Sequence, residues 1–177
     1  MDNDSLSSAS SLIIKSFNVN SIGKNPKRSN IFNFLKKSGG DIQILIDTRF
    51  SKNIENKIKE KWESEAYFSS NTSQSREVAI LFKRNLCIET LKVEPDSEGN
   101  MLSLLLKFDN KTILLTGLYG PNTDQPLFYK NKVFNLINEW NPDCTVFGGD
   151  WNLVLDQNMD TKNYLHNNNI LARNELK

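Results

Sequence analysis

Apolar residues along this chain fall in short runs, each closed by a polar or turn-forming cluster, and the period within the runs changes with position. The first run covers residues 12–20. Leu12, Ile14, Ser16, Asn18 and Asn20 share one face of an extended segment, and Ile13, Lys15, Phe17 and Val19 share the other. Both faces are partly apolar, which predicts a strand covered on both sides. Pro26 suits the first turn of a helix running to about Lys37. Its inner face would carry Arg28, Ile31, Phe32 and Leu35, with Gly39-Gly40 as the stop. Residues 41–47 read as a second strand, apolar from Ile44 to Ile46 and ending on the carboxylate of Asp47. Ile54, Ile58 and Trp62 then recur four apart among Lys, Glu and Asn, the pattern of a surface helix lying on a sheet.

From Tyr67 the spacing shortens. Residues 78–82, 86–93, 101–108 and 112–118 are strand-like and separated by turn residues, which predicts an antiparallel meander. Asp109-Asn110 suits a two-residue hairpin loop. Tyr119-Gly120-Pro121-Asn122 breaks the pattern, and a helix over 125–140 follows, with Val133, Phe134, Leu136, Ile137 and Trp140 on its apolar face. A short strand, Thr145 to Phe147, then runs into Gly148-Gly149-Asp150-Trp151-Asn152, where the two glycines are expected to turn the chain sharply. From Asp156 the chain is polar and Asn-rich, with a last helix starting near Asn168. This order of elements predicts an α/β fold: mixed sheets packed together with helices outside.

With 177 residues and 38% of them apolar, the chain fits one domain with a real core. Residues 1–10 are expected to be a disordered tail and 11–177 the domain. A net charge of +1 gives no overall preference for polyanions, so any such surface must be local. Cys87 and Cys144 lie in apolar runs and read as core residues, not as a disulfide or metal frame. The polar, acidic start is no signal peptide and no run is long enough for a membrane span, so an intracellular, soluble protein without membrane partners is expected. Sequon matches at Asn71 and Asn110 are then chance.

Candidate chemistry collects where apolar runs stop: Asn18, Asp47, Tyr119, and the pair Asp150 and Asn152. Ligand and catalytic groups commonly sit at strand ends and in the loops after them. Each residue also has a plain structural reading: Asn18 as a satisfied amide, Asp47 as a helix cap, Tyr119 as a packed aromatic, Asp150 and Asn152 as a polar turn. A carboxylate and an amide two residues apart could orient water and donate to an oxyanion. Lys24, Lys27, Arg28, Lys36 and Lys37 gather after Asn18, either as a solvated helix face or as contacts to a nucleic-acid backbone.

The joint order of Ser16-Phe17-Asn18-Val19-Asn20, Leu45-Ile46-Asp47-Thr48, Val78-Ala79-Ile80-Leu81-Phe82, Leu118-Tyr119-Gly120-Pro121-Asn122 and Gly148-Gly149-Asp150-Trp151-Asn152 resembles the endonuclease/exonuclease/phosphatase superfamily, the DNase I-like and apurinic-endonuclease-like phosphodiesterases. Within it, the set is most similar to the N-terminal endonuclease domain of LINE-type (non-LTR) retrotransposons. The resemblance implies a two-sheet β-sandwich flanked by helices, with Mg²⁺ at one edge. It implies metal-dependent hydrolysis of DNA phosphodiesters, a reverse transcriptase region further along a full-length element, and a nuclear site of action on chromosomal DNA. By the same resemblance, Asn18 supports metal and phosphate, Asp47 stands at the metal-binding glutamate position, Tyr119 contacts phosphate, Asp150 orients or deprotonates water, and Asn152 stabilises charge on the phosphoryl oxygens. Mg²⁺ takes oxygen ligands and keeps several waters, so one or two carboxylates suffice.

Two departures stand out. Asp47 is one methylene shorter than the family's glutamate, so metal binding is expected to be weak. No later segment matches the family's further aspartate and Ser-Asp-His motif, so the domain is expected to be C-terminally incomplete, with His166 a surface histidine. A catalytically inactive fragment and a phosphatase of the same superfamily are the alternatives. Arg76-Glu77 is a smaller oddity, standing where the family usually has glycine.

Overall fold

A computed structural model describes residues 11–70, 77–156, 159 and 169–176. The terminal tail, Arg76, the Asn71 sequon and His166 lie outside the described residues. The elements are β1 (Ile14–Asn18), α1 (Asn25–Lys37), β2 (Ile42–Ile46), a 3₁₀ turn (Lys52–Ile54), α2 (Glu55–Trp62), β3 (Ala66–Ser69), β4 (Val78–Phe82), β5 (Glu89–Pro95), β6 (Met101–Phe108), β7 (Lys111–Tyr119), a π-helical stretch (Phe128–Phe134), α3 (Asn135–Trp140), β8 (Cys144–Asp150) and α4 (Ile170–Glu175). They form two four-stranded mixed sheets, ordered β1-β2-β4-β3 and β5-β6-β7-β8.

The alternation of side chains along each strand builds four layers. In β2 and β4, Ile42, Ile44, Ile46, Val78, Ile80 and Phe82 meet Leu102, Leu104, Leu106 and Leu115 of the second sheet. The opposite faces of those strands, with Leu45, Ala79 and Leu81, take Phe32 and Leu35 of α1 and Ile58 and Trp62 of α2. Trp62 also donates its indole N–H to the Phe82 carbonyl at 2.7 Å, which fixes α2 on the sheet. On the outer face of the second sheet, Met101, Leu114 and Leu118 pack on Phe128, Tyr129, Val133 and Leu136. Each fully buried Leu or Ile contributes about 1.5–3 kcal/mol, and three such clusters hold the two sheets and their helices together.

Several expectations shift. The run from Tyr67 is not one meander. β3 and β4 pair antiparallel in the first sheet, and β5, β6 and β7 form the antiparallel part of the second. β3 was not expected as a strand; its four residues are too few to show a period. β5 begins at Glu89 and not at residue 86, and its outer edge is mostly exposed. β1 is an edge strand without a fully buried residue, but both of its faces are covered in part, as its composition suggests: Phe17 packs against the α1–α2 cluster and Leu12 and Ile14 against the core between the sheets. Cys87 and Cys144 are exposed, not core: Cys87 precedes β5 and Cys144 is the first residue of β8, where the ladder only begins. The expected helix over 125–140 is present without a break from 126 to 140, with a π-helical stretch inside it before α3. The Asp109-Asn110 hairpin is present, both residues taking the positive φ that a tight two-residue turn requires. No helix among the described residues is long and apolar enough to cross a membrane.

Candidate active site

Strand alternation sets the faces of the two edge strands. Leu12 and Ile14 of the β1 segment and Val146 of β8 pack into the core between the sheets. Counting in twos from them, Ser16 and Asn18 on one strand and Gly148 and Asp150 on the other belong to the same inter-sheet face. The strands approach closely at Gly148, where an added Cβ would lie 2.6 Å from the Ile44 side chain and 3.4 Å from Ser16 Cβ. Two residues further along each strand come Asn18 and Asp150.

The other two strand ends arrive at the same edge. Asn18 is in register with Ile46, directly before Asp47. Tyr119 and Asp150 are the last pair of the parallel β7–β8 ladder. Gly117, two residues before Tyr119, faces Ile44 and Val78 across the sandwich. Asn18, Asp47, Tyr119 and Asp150 therefore end neighbouring strands of the two sheets at one edge, with Asn152 in the turn beyond.

Local hydrogen bonds fix each group. The Asn18 side-chain oxygen accepts the Asn20 backbone N–H at 3.1 Å, and the side chain is exposed, not buried in line with Leu12 and Ile14 as its face suggests. Asp150 Oδ1 accepts the Asn152 backbone N–H at 3.0 Å. Asn152 donates its side-chain N–H to the Gly120 carbonyl at 2.6 Å, and Gly120 donates its backbone N–H to the Asp150 carbonyl at 2.7 Å. Asn169 closes the turn from outside, donating to the Asn152 carbonyl at 2.9 Å. The expected sharp turn at Gly148-Gly149 does not occur: β8 continues through both glycines, and the chain turns at Asn152, with φ of 50°. The glycines serve close approach instead. Gly149 has φ of 146°, and an added Cβ would fall 1.9 Å from the Leu118 carbonyl oxygen.

Asp47 is buried and its carboxylate is held by Arg49, with Nε at 2.7 Å from one oxygen and Nη2 at 3.1 Å from the other. The reading of the sequence missed Arg49; the signal was an arginine two residues after a carboxylate at a strand end. The ion pair with Asp47 raises the pKa of Arg49, and the nearby Tyr119 phenol adds to the effect. Asn20, Ser21, Asp47, Arg49 and Asn152 all have positive φ. Left-handed backbone at non-glycine residues is costly and concentrates at functional sites. Glu77, which the sequence marks only as a departure from the family's pattern, is buried beside this loop and accepts the Phe50 backbone N–H at 2.5 Å.

The basic cluster after Asn18 has mixed roles. Arg28 is buried and donates to the carbonyls of Ile22 and Gly23, so it is a structural anchor and not a nucleic-acid contact. Lys27 donates to the Asn20 carbonyl, and Lys36 pairs with Glu63 at 3.4 Å.

No family model matches the sequence. Solved structures do. One is the endonuclease domain of TRAS1, a telomere-specific non-LTR retrotransposon (13% identity, TM-score 0.59, covering 81% of this chain and 61% of that one). Another is D. rerio TDP2 complexed with a single-strand DNA product (17% identity, TM-score 0.59, 82% and 62%). A third is ANGEL2, a 2′,3′-cyclic phosphatase (16% identity, TM-score 0.61, 81% and 54%). The chain has the DNase I-like fold. It spans 54–62% of the length of these three DNase I-like structures.

The Mg²⁺ that the resemblance implies at this edge of the DNase I-like sandwich does not fit the side chains as they are arranged. Mg²⁺ requires near-octahedral oxygen ligands at about 2.0–2.1 Å. Both oxygens of Asp47 already accept guanidinium N–H groups, and Asn18 Oδ1 accepts a backbone N–H.

Proposed function

We propose that the edge formed by Asn18, Asp47, Tyr119, Asp150 and Asn152 is a phosphodiester site of the endonuclease type found in non-LTR retrotransposons, and that DNA backbone is its ligand. The observation that carries this reading is the arrival of four polar strand ends from two different sheets at one edge, made possible by Gly148. In that reading Asn18 and Tyr119 contact a phosphate, and the second oxygen of Asp150 accepts from a water. The Asn152 amide fixes the turn that aims Asp150. The similarity in fold to a retrotransposon endonuclease domain and to a TDP2 complex with DNA supports the choice of nucleic acid.

Hydrolysis needs charge stabilisation at the phosphoryl oxygens, which this superfamily draws from a metal. With Asp47 engaged by Arg49, the reading assigns this chain DNA binding without measurable nicking. Fluorescence anisotropy with a labelled single-stranded oligonucleotide tests the first part. Asn18→Ala and Tyr119→Phe should each weaken binding several-fold, on the order of 1 kcal/mol per lost hydrogen bond. Affinity unchanged in both variants would remove this edge as the DNA site. A supercoiled-plasmid assay in Mg²⁺ tests the second: nicking that disappears in Asp150→Ala would show an active nuclease.

A further inference from the structure

We propose that Arg49 is the resident cation of this edge: its guanidinium closes Asp47 to divalent metal ions and presents its remaining N–H donors to phosphate oxygens. The clamp is built into the backbone. Asp47 and Arg49 have φ of 58° and 47°, and this tight turn carries the guanidinium back onto the carboxylate two residues before it. The two hydrogen bonds are bidentate and charge-assisted, at 2.7 and 3.1 Å, the strongest geometry available to this pair.

Exposure separates the partners. The Asp47 side chain is 6% exposed and the Arg49 side chain 48%. A buried carboxylate needs a counter-charge, and Arg49 supplies one without a metal. A guanidinium carries five N–H donors, and Asp47 takes two of them. The others are left to a side chain that is half-exposed and close enough to Tyr119 to feel its charge. A divalent ion would have to displace both hydrogen bonds and sit beside a fixed positive charge.

This inference rests on the phosphodiester reading for its ligand, but metal binding is measured without DNA, so the two can fail separately. Mn²⁺ alone is the probe, followed by electron paramagnetic resonance on the full chain. The wild type should bind no more Mn²⁺ than Asp47→Asn. Arg49→Gln should bind it roughly tenfold tighter or more, because removing one member of the pair leaves a buried, unpaired charge. The double variant Asp47→Asn/Arg49→Gln should lose that gain. Circular dichroism establishes that the variants fold, and Arg49→Lys, which keeps charge without the fork, should fall between wild type and Arg49→Gln. Wild-type Mn²⁺ binding that Asp47→Asn abolishes would overturn the proposal, as would an Arg49→Gln variant that folds and gains nothing. In the wild type the Arg49 Nε–H resonance should persist on titration with Mg²⁺; its loss at the same concentration in which Asp47→Asn shows no change would also overturn it.

Discussion

Glu77 holds Phe50: its side-chain carboxylate accepts the Phe50 backbone N–H at 2.5 Å, from a residue that is fully buried just before β4. The Glu77 carbonyl accepts both the backbone N–H and the hydroxyl of Thr48, each at 3.1 Å. One residue thus binds the loop after β2 at both ends, around Arg49. Its Oε2 is an acceptor for a buried N–H, and Ala would leave that donor unsatisfied. Glu77→Ala should cost about 2–3 kcal/mol, and Glu77→Gln, which keeps an acceptor oxygen, less. Urea denaturation midpoints read the difference. Equal loss in both variants would mean that the charge, and not the hydrogen bond to Phe50, stabilises the loop.

Gly149→Ala tests why β8 carries two glycines. The φ of 146° is open to glycine and strained for alanine, and the added Cβ would collide with the Leu118 carbonyl of the neighbouring strand. Neither conflict involves a side chain that can rotate away. The substitution should cost roughly 3 kcal/mol or more and displace the β7–β8 register at Tyr119 and Asp150. Soluble yield and thermal midpoint measure it. A variant as stable as wild type would show that the strand can shift without losing the ladder.

The parts of this fold that could be read from the chain are those with an apolar run or a helical period. Ile42 to Ile46 and Val78 to Phe82 are short apolar runs buried at every position, and the Arg28-Phe32-Leu35 face of α1 follows from helical spacing. The division of the strands between two sheets was not legible. A strand such as β4 has the same pattern whether its neighbours are β2 and β3 or members of a meander, and only the long-range pairing distinguishes them. The four strand-end residues could be named because each stops an apolar run. Their partners could not, since the Arg49 clamp depends on two left-handed residues that composition does not announce. Tyr129 stands four and seven residues before Val133 and Leu136, so helical spacing places it on their face, but nothing in that spacing announces the hydrogen bond from its hydroxyl to the Trp151 carbonyl.

Acid should loosen both edge strands at their starts. The Ile13 backbone N–H holds the Asp41 carboxyl below its ordinary pKa, helped by Lys83 and opposed by burial. The backbone N–H and hydroxyl of Thr112 do the same for Asp143, just before β8. A lowered carboxylate pKa gives stability that is present above the unfolded value and lost as pH falls through the folded one. The loss should therefore begin below about pH 4. Asp41→Asn and Asp143→Asn should flatten that limb of the stability curve while lowering stability at neutral pH. Denaturation midpoints across this range check it, and an acid limb as steep in the double variant as in wild type would point to other carboxylates.

Alkali should act on the opposite end of β8 through Tyr129. Its hydroxyl donates to the Trp151 carbonyl at 2.6 Å, and its ring stacks on Trp151 with centroids 6.0 Å apart and planes 11° from parallel. This contact fixes the carbonyl between Asp150 and Asn152, the turn on which the candidate site depends. Burial raises the phenol pKa most, and the charges of Asp150 and Asp124 raise it further. A raised value means that the folded chain keeps the proton after the unfolded chain has lost it. Stability is then complete below the unfolded value of about 10 and falls as pH rises above it. Tyr129→Phe should lose about 1 kcal/mol at neutral pH, the worth of one hydrogen bond, and should lose less on further rise in pH than the wild type does. Tyr67 is raised by burial as well, so it contributes to the same alkaline limb. The variant must therefore reduce the limb, not abolish it. Urea midpoints at neutral pH and at about pH 11 compare the two chains, and an unchanged alkaline slope in Tyr129→Phe would show that the Trp151 turn is held by its packing alone.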